Sequence, residues 1–158
     1  MSTEDADPAV AAFFMVTIDE QRYSLGSFTA CDGIGCEVVI EQREEGGNNA
    51  FVHQLPGRVK YSNVKLTRAV GPDTAKIANW FALLAANDSD TIDVKGRPTA
   101  HIVAMTAAGT PVWTWVLMGV VPVRWTGPSF SVDTAKVSLE TLELAHHGFM
   151  KQNSPASR

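Results

Sequence analysis

Residues 61–85 read YSNVKLTRAVGPDTAKIANWFALLA, and the fold class turns on the change of period inside them. Between Tyr61 and Arg68 the side chains alternate. Ser62, Val64 and Leu66 share one face and Asn63, Lys65 and Thr67 the other, as in a strand with one wet side. Beyond Gly71 the period becomes helical. Pro72 suits a first helical position, where its missing N–H leaves nothing unsatisfied. Ile77, Trp80, Phe81, Leu84 and Ala85 then recur at the spacing of a single apolar stripe. Asn87 is the expected C-terminal cap, giving a helix of about fourteen residues. So aromatic a stripe must dock on a sheet or on a neighbouring chain.

Strand patterns extend from this segment in both directions. Residues 13–19 (FFMVTID) are aromatic and β-branched, with Phe14, Val16 and Ile18 on one face, and a turn at 20–22 leads into a second strand over 23–28. Gly33 and Gly35 punctuate the entry to residues 36–41. There Cys36, Val38 and Ile40 alternate with Glu37, Val39 and Glu41, which predicts a half-buried strand. Residues 44–56 (EEGGNNAFVHQLP) form a connection too long for a tight turn, of the length at which loops are usually functional or mobile. On the C-terminal side, a strand over 99–106 and a turn at Gly109-Thr110-Pro111 lead into residues 112–125. The apolar density on both faces of 112–121 predicts a central or interfacial strand. In the last strand, 134–146, Val137 and Leu139 fall out of step with Leu142 and Leu144. A β-bulge at Glu140-Thr141 would return both pairs to one face. The expectation is a mainly β domain, two packed antiparallel sheets with one flanking helix, over residues 13–148. Residues 1–12 and 149–158 read as flexible arms.

Composition supports one packed domain. The chain has 158 residues, 45% of them apolar and 19% charged. At this length roughly 70% of the unfolded surface is buried on folding, enough to dispense with disulfide or metal staples. Formal net charge is -4, from 13 basic and 17 acidic residues, which argues against a general nucleic-acid binder. The apolar run at 112–121, broken by Thr114 and Gly119, is far short of the roughly 20 residues a membrane-spanning helix needs. No basic segment precedes an apolar core near Met1, so synthesis in the cytoplasm without a signal peptide is expected. Cys31 and Cys36 are too few for a disulfide framework and read as reduced packing residues.

No catalytic constellation emerges. The His146-His147 rings should point to opposite faces of a strand, a poor geometry for sharing a metal. His101 sits among apolar neighbours as a core or interface histidine, and His53 lies in the long connection without a ligand cluster. Ser27 and Ser129 lack a nucleophile elbow, and the two cysteines lack basic neighbours to lower a thiol pKa. Gly33-Ile34-Gly35 starts like a dinucleotide fingerprint but lacks the third glycine and runs into a strand. Glu44-Glu45 is too mobile a pair for acid–base work. Neither an enzyme, a metal nor a cofactor is expected.

Several segments in fixed order resemble a known family: Glu45-Gly46-Gly47-Asn48-Asn49, Leu55-Pro56-Gly57-Arg58, residues 61–68, Trp80-Phe81, residues 115–119 and 122–125, and residues 140–148 (ETLELAHHG). Together they resemble the inner tube proteins of contractile phage tails and of extracellular contractile injection systems, related in fold to the type VI secretion tube protein. The resemblance implies a small β-barrel or sandwich with one helix at its side. It also implies homohexameric rings stacked into a hollow tube, a contractile sheath around it, baseplate, spike and terminator proteins at its ends, and cargo in the lumen. The resulting particle would be phage tail-like, without a membrane anchor or nucleic-acid specificity. A small monomeric or dimeric β-barrel binding an apolar ligand, lined by Trp113, Trp115 and Trp125, is the competing reading.

Residues 37–45 carry a local charge of -3 and residues 58–68 one of +4, read from four Glu and one Arg against four cations. Head-to-tail contacts need one face to complement another. The expected inter-subunit surface therefore comprises Glu41, Glu44, Glu45, Gly46, Gly47, Asn48, Asn49 and Phe51 in the acidic arm, Arg58, Lys60 and Arg68 opposite, and Trp80 and Phe81 on the helix. In this reading one of the two helix aromatics covers the subunit's own sheet and the other a neighbour's.

Overall fold

The computed structural model describes residues 10–18, 23–44, 46–47, 51–85, 98–129, 131–133 and 136–150. In chain order the elements are β1 (Phe13–Ile18), β2 (Tyr23–Phe28), β3 (Ala30–Asp32), β4 (Cys36–Arg43), β5 (His53–Tyr61), β6 (Val64–Ala69), α1 (Thr74–Ala85), β7 (Ala100–Met105), β8 (Pro111–Leu117), β9 (Val121–Thr126) and β10 (Leu139–Ala145). Two four-stranded antiparallel sheets, β2-β1-β7-β8 and β3-β6-β10-β9, enclose the core. Strand alternation supplies it: Val16 and Ile18, Leu25 and Phe28, Ala100 and Ile102 from the first sheet meet Val64, Leu66, Leu142 and Leu144 from the second. The chain turns from sheet to sheet at Thr29, whose N–H donates to Thr67 O at 2.9 Å, and again through residues 118–120, where Gly119 has φ 61°. These corners connect the two sheets at both sides, and a bridge from Leu117 to Phe149 draws the C-terminal segment onto β8, while among the described residues the outer edges of β3 and β9 stay unpaired.

Helix α1 caps this core. Thr74 Oγ1 accepts the Gly71 N–H at 3.2 Å, and the helix starts two residues after Pro72. Ile77 and Trp80 are buried, Phe81 is half-buried against the same cluster, and Tyr23 Oη donates to Lys76 O at 2.7 Å to pin the helix to β2. The expected cap Asn87 and turn 20–22 lie outside the described residues.

Four expectations change. Residues 36–43 are no half-buried strand: β4 pairs with β5 alone, and Val38 and Ile40 stand about half exposed. The connection after β4 is shorter than read, because the ladder runs to Arg43 opposite His53, which puts His53 on a strand. Residues 112–125 make two strands, each last in the order of a different sheet and separated at Gly119, so of the central and interfacial alternatives the central one fails; β8 is also bridged to the C-terminal segment at Leu117–Phe149. No bulge realigns Val137 and Leu139, which stay exposed; β10 pairs in unbroken register with β6 and turns Glu140 inward beside Leu142 and Leu144. The register does shift on the β9 side, between Glu143 and Leu144. Hydrogen-bonded order reaches Met150, whose N–H donates to Val116 O at 2.9 Å.

Candidate assembly surface

The β4–β5 ribbon grows out of the second sheet. Asp32 is opposite Lys65 and Cys36 is opposite Tyr61, four residues further along each strand, with the Ser62 N–H donating to Gly35 O at 3.2 Å between them. One antiparallel ladder therefore runs from the β3–β6 root into the arm without changing register. Gly33, at φ 86°, bends it where an added Cβ would lie 2.2 Å from Asn63 O. Further out, β5 accommodates an extra residue around Gly57, where a Cβ would come within 2.8 Å of Val39 O. One face of the ribbon holds Val38, Ile40, Val59 and Pro56, and the other holds the Glu37–Lys60 cross-strand pair together with Glu41, Leu55 and Arg43. Both faces are largely exposed, and Phe51 near the tip is 60% exposed. Exposed apolar surface of this extent on a two-stranded ribbon is the kind of feature that marks interaction sites.

The motif residues at 61–68 and 140–148 turn out to be two facing strands that recognise each other position by position. Arg68 Nε donates to Glu140 Oε1 at 2.6 Å, both side chains being buried. Leu66 is opposite Leu142, Asn63 Nδ2 donates to Glu143 Oε1 at 2.9 Å, and Tyr61 packs against His146 and Phe149 with ring centroids 5.5 and 5.7 Å apart. Around the buried pair, Arg68 also donates to Leu25 O and to Asp73 O (2.9 Å) and lies 4.4 Å over the Phe28 ring. Glu140 further accepts from Thr74 Oγ1 at 3.0 Å and Trp125 Nε1 at 3.1 Å. Both sheets and the start of α1 are tied at this one point. Gly26 makes room for it: at φ 88°, its missing Cβ would sit 2.4 Å from Asp73 Oδ2.

Glu41, Glu44, Gly46, Gly47, Phe51, Arg58 and Lys60 all lie exposed on the ribbon or at its tip. Glu45, Asn48 and Asn49 fall outside the described residues. Arg68 and Trp80 are inside the subunit, 5% and 6% exposed, so they do not belong to its outer surface, and Phe81 packs on its own core. Arg68 on a strand read as alternating falls on the same inward side as Val64 and Leu66; its burial was visible only once Glu140 was seen opposite it. The acidic and basic stretches also meet within the chain, at Glu37 opposite Lys60.

His146 is buried and hydrogen-bonded to Ser62 O at 3.0 Å, and His147 on the next position is exposed, the opposite orientations its dipeptide predicts. Burial, and then the charge of Asp32, pushes the Cys31 thiol up to about 11, and Cys36 is exposed at the foot of the ribbon. Among the described residues no group of three or more His, Cys, Asp or Glu side chains is placed to hold a metal, and no helix is long and apolar enough to cross a membrane. The barrel interior is filled by Phe28, Leu25, Leu66, Ile102 and their neighbours. Trp115 packs on that core and Trp125 is engaged with Glu140, while Trp113 is 53% exposed. The ligand-binding barrel has no support here.

A two-sheet sandwich with a projecting β-ribbon defines a subunit built for association. The family model of the T4-like virus tail tube protein gp19 matches residues 10–150, and the chain belongs to that family. The fold is similar to a chain of the anti-feeding prophage baseplate (TM-score 0.71, 23% identity, covering 95% of this chain and 96% of the other). It is also similar to a chain of the PVC sheath–tube complex of an extracellular contractile injection system in the extended state (TM-score 0.72, 19% identity, 98% and 99% covered). Hcp1 from Salmonella typhimurium is a more distant likeness (TM-score 0.51, 16% identity, 87% and 83% covered). Comparison with curated proteins returned no match.

Proposed function

We propose that this chain is the structural subunit of the inner tube of a contractile injection system or phage tail. In this reading six copies close into a ring and rings stack into a hollow tube. A contractile sheath surrounds the tube, baseplate, spike and terminator proteins hold its ends, and cargo travels in its lumen. The work is mechanical, so the chain is not an enzyme and needs no cofactor. It is made in the cytoplasm and ends up in a phage tail-like particle. The observation that carries the reading is the exposed β4–β5 ribbon of a chain that belongs to the tail tube family, which among the described residues pairs with no other strand.

The interface we assign comprises Glu41, Glu44, Glu45, Gly46, Gly47, Asn48, Asn49, Phe51, Arg58 and Lys60, with the ribbon laid against a neighbouring copy. Glycines permit close backbone approach, Asn48 and Asn49 satisfy exposed peptide groups, and Phe51 supplies an apolar anchor. Reversing Arg58 to Glu, while leaving Lys60 opposite Glu37, is expected to abolish rings and tubes in electron micrographs. The melting temperature of the isolated subunit should stay within a few degrees of the parent, since the Arg58 side chain is solvent-facing. Normal tubes from that variant would contradict charge matching through the ribbon.

A further inference from the structure

The outward face of the sheet β3-β6-β10-β9 carries a row of charges running straight across its strands. Asp32 on β3 is opposite Lys65 on β6, Lys65 is opposite Glu143 on β10, and Glu143 is opposite Arg124 on β9. From one edge of the sheet to the other the signs alternate. The next row, Ala30, Thr67, Thr141 and Thr126, is uncharged, so the pattern is confined to one line. Each inner member has an opposite charge on both sides. The outer members, Asp32 and Arg124, have one on a single side only, and both are exposed.

Asp32 and Arg124 also stand on the two edge strands of that sheet. Among the described residues, β3 pairs only with β6 and β9 only with β10, and Val121 and Val123 are exposed along β9. An edge strand is a template for pairing with another chain. Opposite charges directly across two strands favour pairing and like charges oppose it. A two-fold contact between copies would set Arg124 against Arg124, or Asp32 against Asp32. A contact of β9 with β3 sets Arg124 against Asp32 and continues the alternation, and it is head-to-tail, the geometry that closes rings.

We propose that the β9 edge of one copy meets the β3 edge of the next, with Arg124 paired to Asp32 across the junction, and that this charge row sets both the polarity and the register of the ring. The proposal rests on the reading of this chain as a ring-forming tube subunit, and its partner is a second copy of the same chain.

The test uses full-length Asp32→Lys and Arg124→Glu, made separately and then mixed in equal amounts. Alone, each presents like charges at every junction and is expected to lower the yield of rings by about ten-fold or more. The mixture is expected to restore them. In alternating order every junction then joins opposite charges, Arg124 to Asp32 at one and the two substituted groups at the next. Recovery in the mixture cannot come from repair inside a subunit, because each chain keeps its own altered neighbours. Either variant forming rings as the parent does would overturn the pairing, as would a mixture no better than its components while both melt as the parent does. Should a charge reversal unfold its chain, Asp32→Cys with Arg124→Cys in a Cys31→Ser, Cys36→Ser background gives a second reading. Oxidation should yield a ladder of covalent multimers, and monomer alone would overturn the pairing. A parent protein that forms no rings at all would instead overturn the tube reading on which the proposal rests.

Discussion

At position 68 a guanidinium occupies a place where alternation would put an aliphatic side chain, and its counter-charge comes from position 140, on a strand far away in sequence. No local pattern announces such a pair. Val64, Leu66, Leu142 and Leu144 are legible as core because alternation marks them; Arg68 and Glu140 share their faces but look like surface residues until the register is known. Arg68→Met, which leaves a fully buried carboxylate without its cation, should cost about 3–5 kcal/mol in denaturant unfolding. Arg68→Met with Glu140→Leu should recover part of that loss, and strict additivity of the two singles would contradict their coupling. The cysteines separate in the same way by environment. Because burial holds the Cys31 thiol protonated until about pH 11, alkylation of the folded subunit at pH 8 should modify exposed Cys36 first, with the difference lost in urea. Equal rates in the folded subunit would contradict the burial of Cys31.

At the level of elements, period told which residues share a face but not what covers that face. The alternation of Cys36, Val38 and Ile40 is real, yet among the described residues these side chains stay exposed. A pattern shaped for burial in an assembly is indistinguishable, in one sequence, from one shaped for burial in a domain. The apolar density of residues 112–121 allowed a central or an interfacial strand, and the strand order removes only the first: the segment crosses a corner at Gly119 between the last strands of two sheets, and edges of an associating subunit can carry apolar surface. Glu45, Asn48 and Asn49, which lie outside the described residues, are legible as candidates through the glycine- and asparagine-rich segment 44–56 together with the family resemblance. Val38→Glu with Val59→Lys tests the ribbon directly. The two positions are directly opposite, so the substituted charges keep the strands paired while removing the apolar face. Subunit stability should change by less than about 0.5 kcal/mol and tube formation should be lost; tubes of normal yield would show that this face is not an interface.

In the molecule as a whole, the two-sheet sandwich supplies rigidity, and the association we propose falls to the ribbon and to the β3 and β9 edges. Corners at Thr29 and Gly119 seal the core, the Arg68–Glu140 pair ties both sheets to the helix, and one ladder carries the second sheet out into the ribbon without a change of register. A rigid body with an arm and two unlike sheet edges can repeat head-to-tail without a second kind of subunit. Everything in this account requires the copies to bind one another. Electron microscopy of the purified parent protein at tens of micromolar, roughly the range in which weak ring contacts populate, measures that directly. The account predicts annular particles with six-fold symmetry, or tubes of stacked rings; a field of single subunits with no annular class would contradict it.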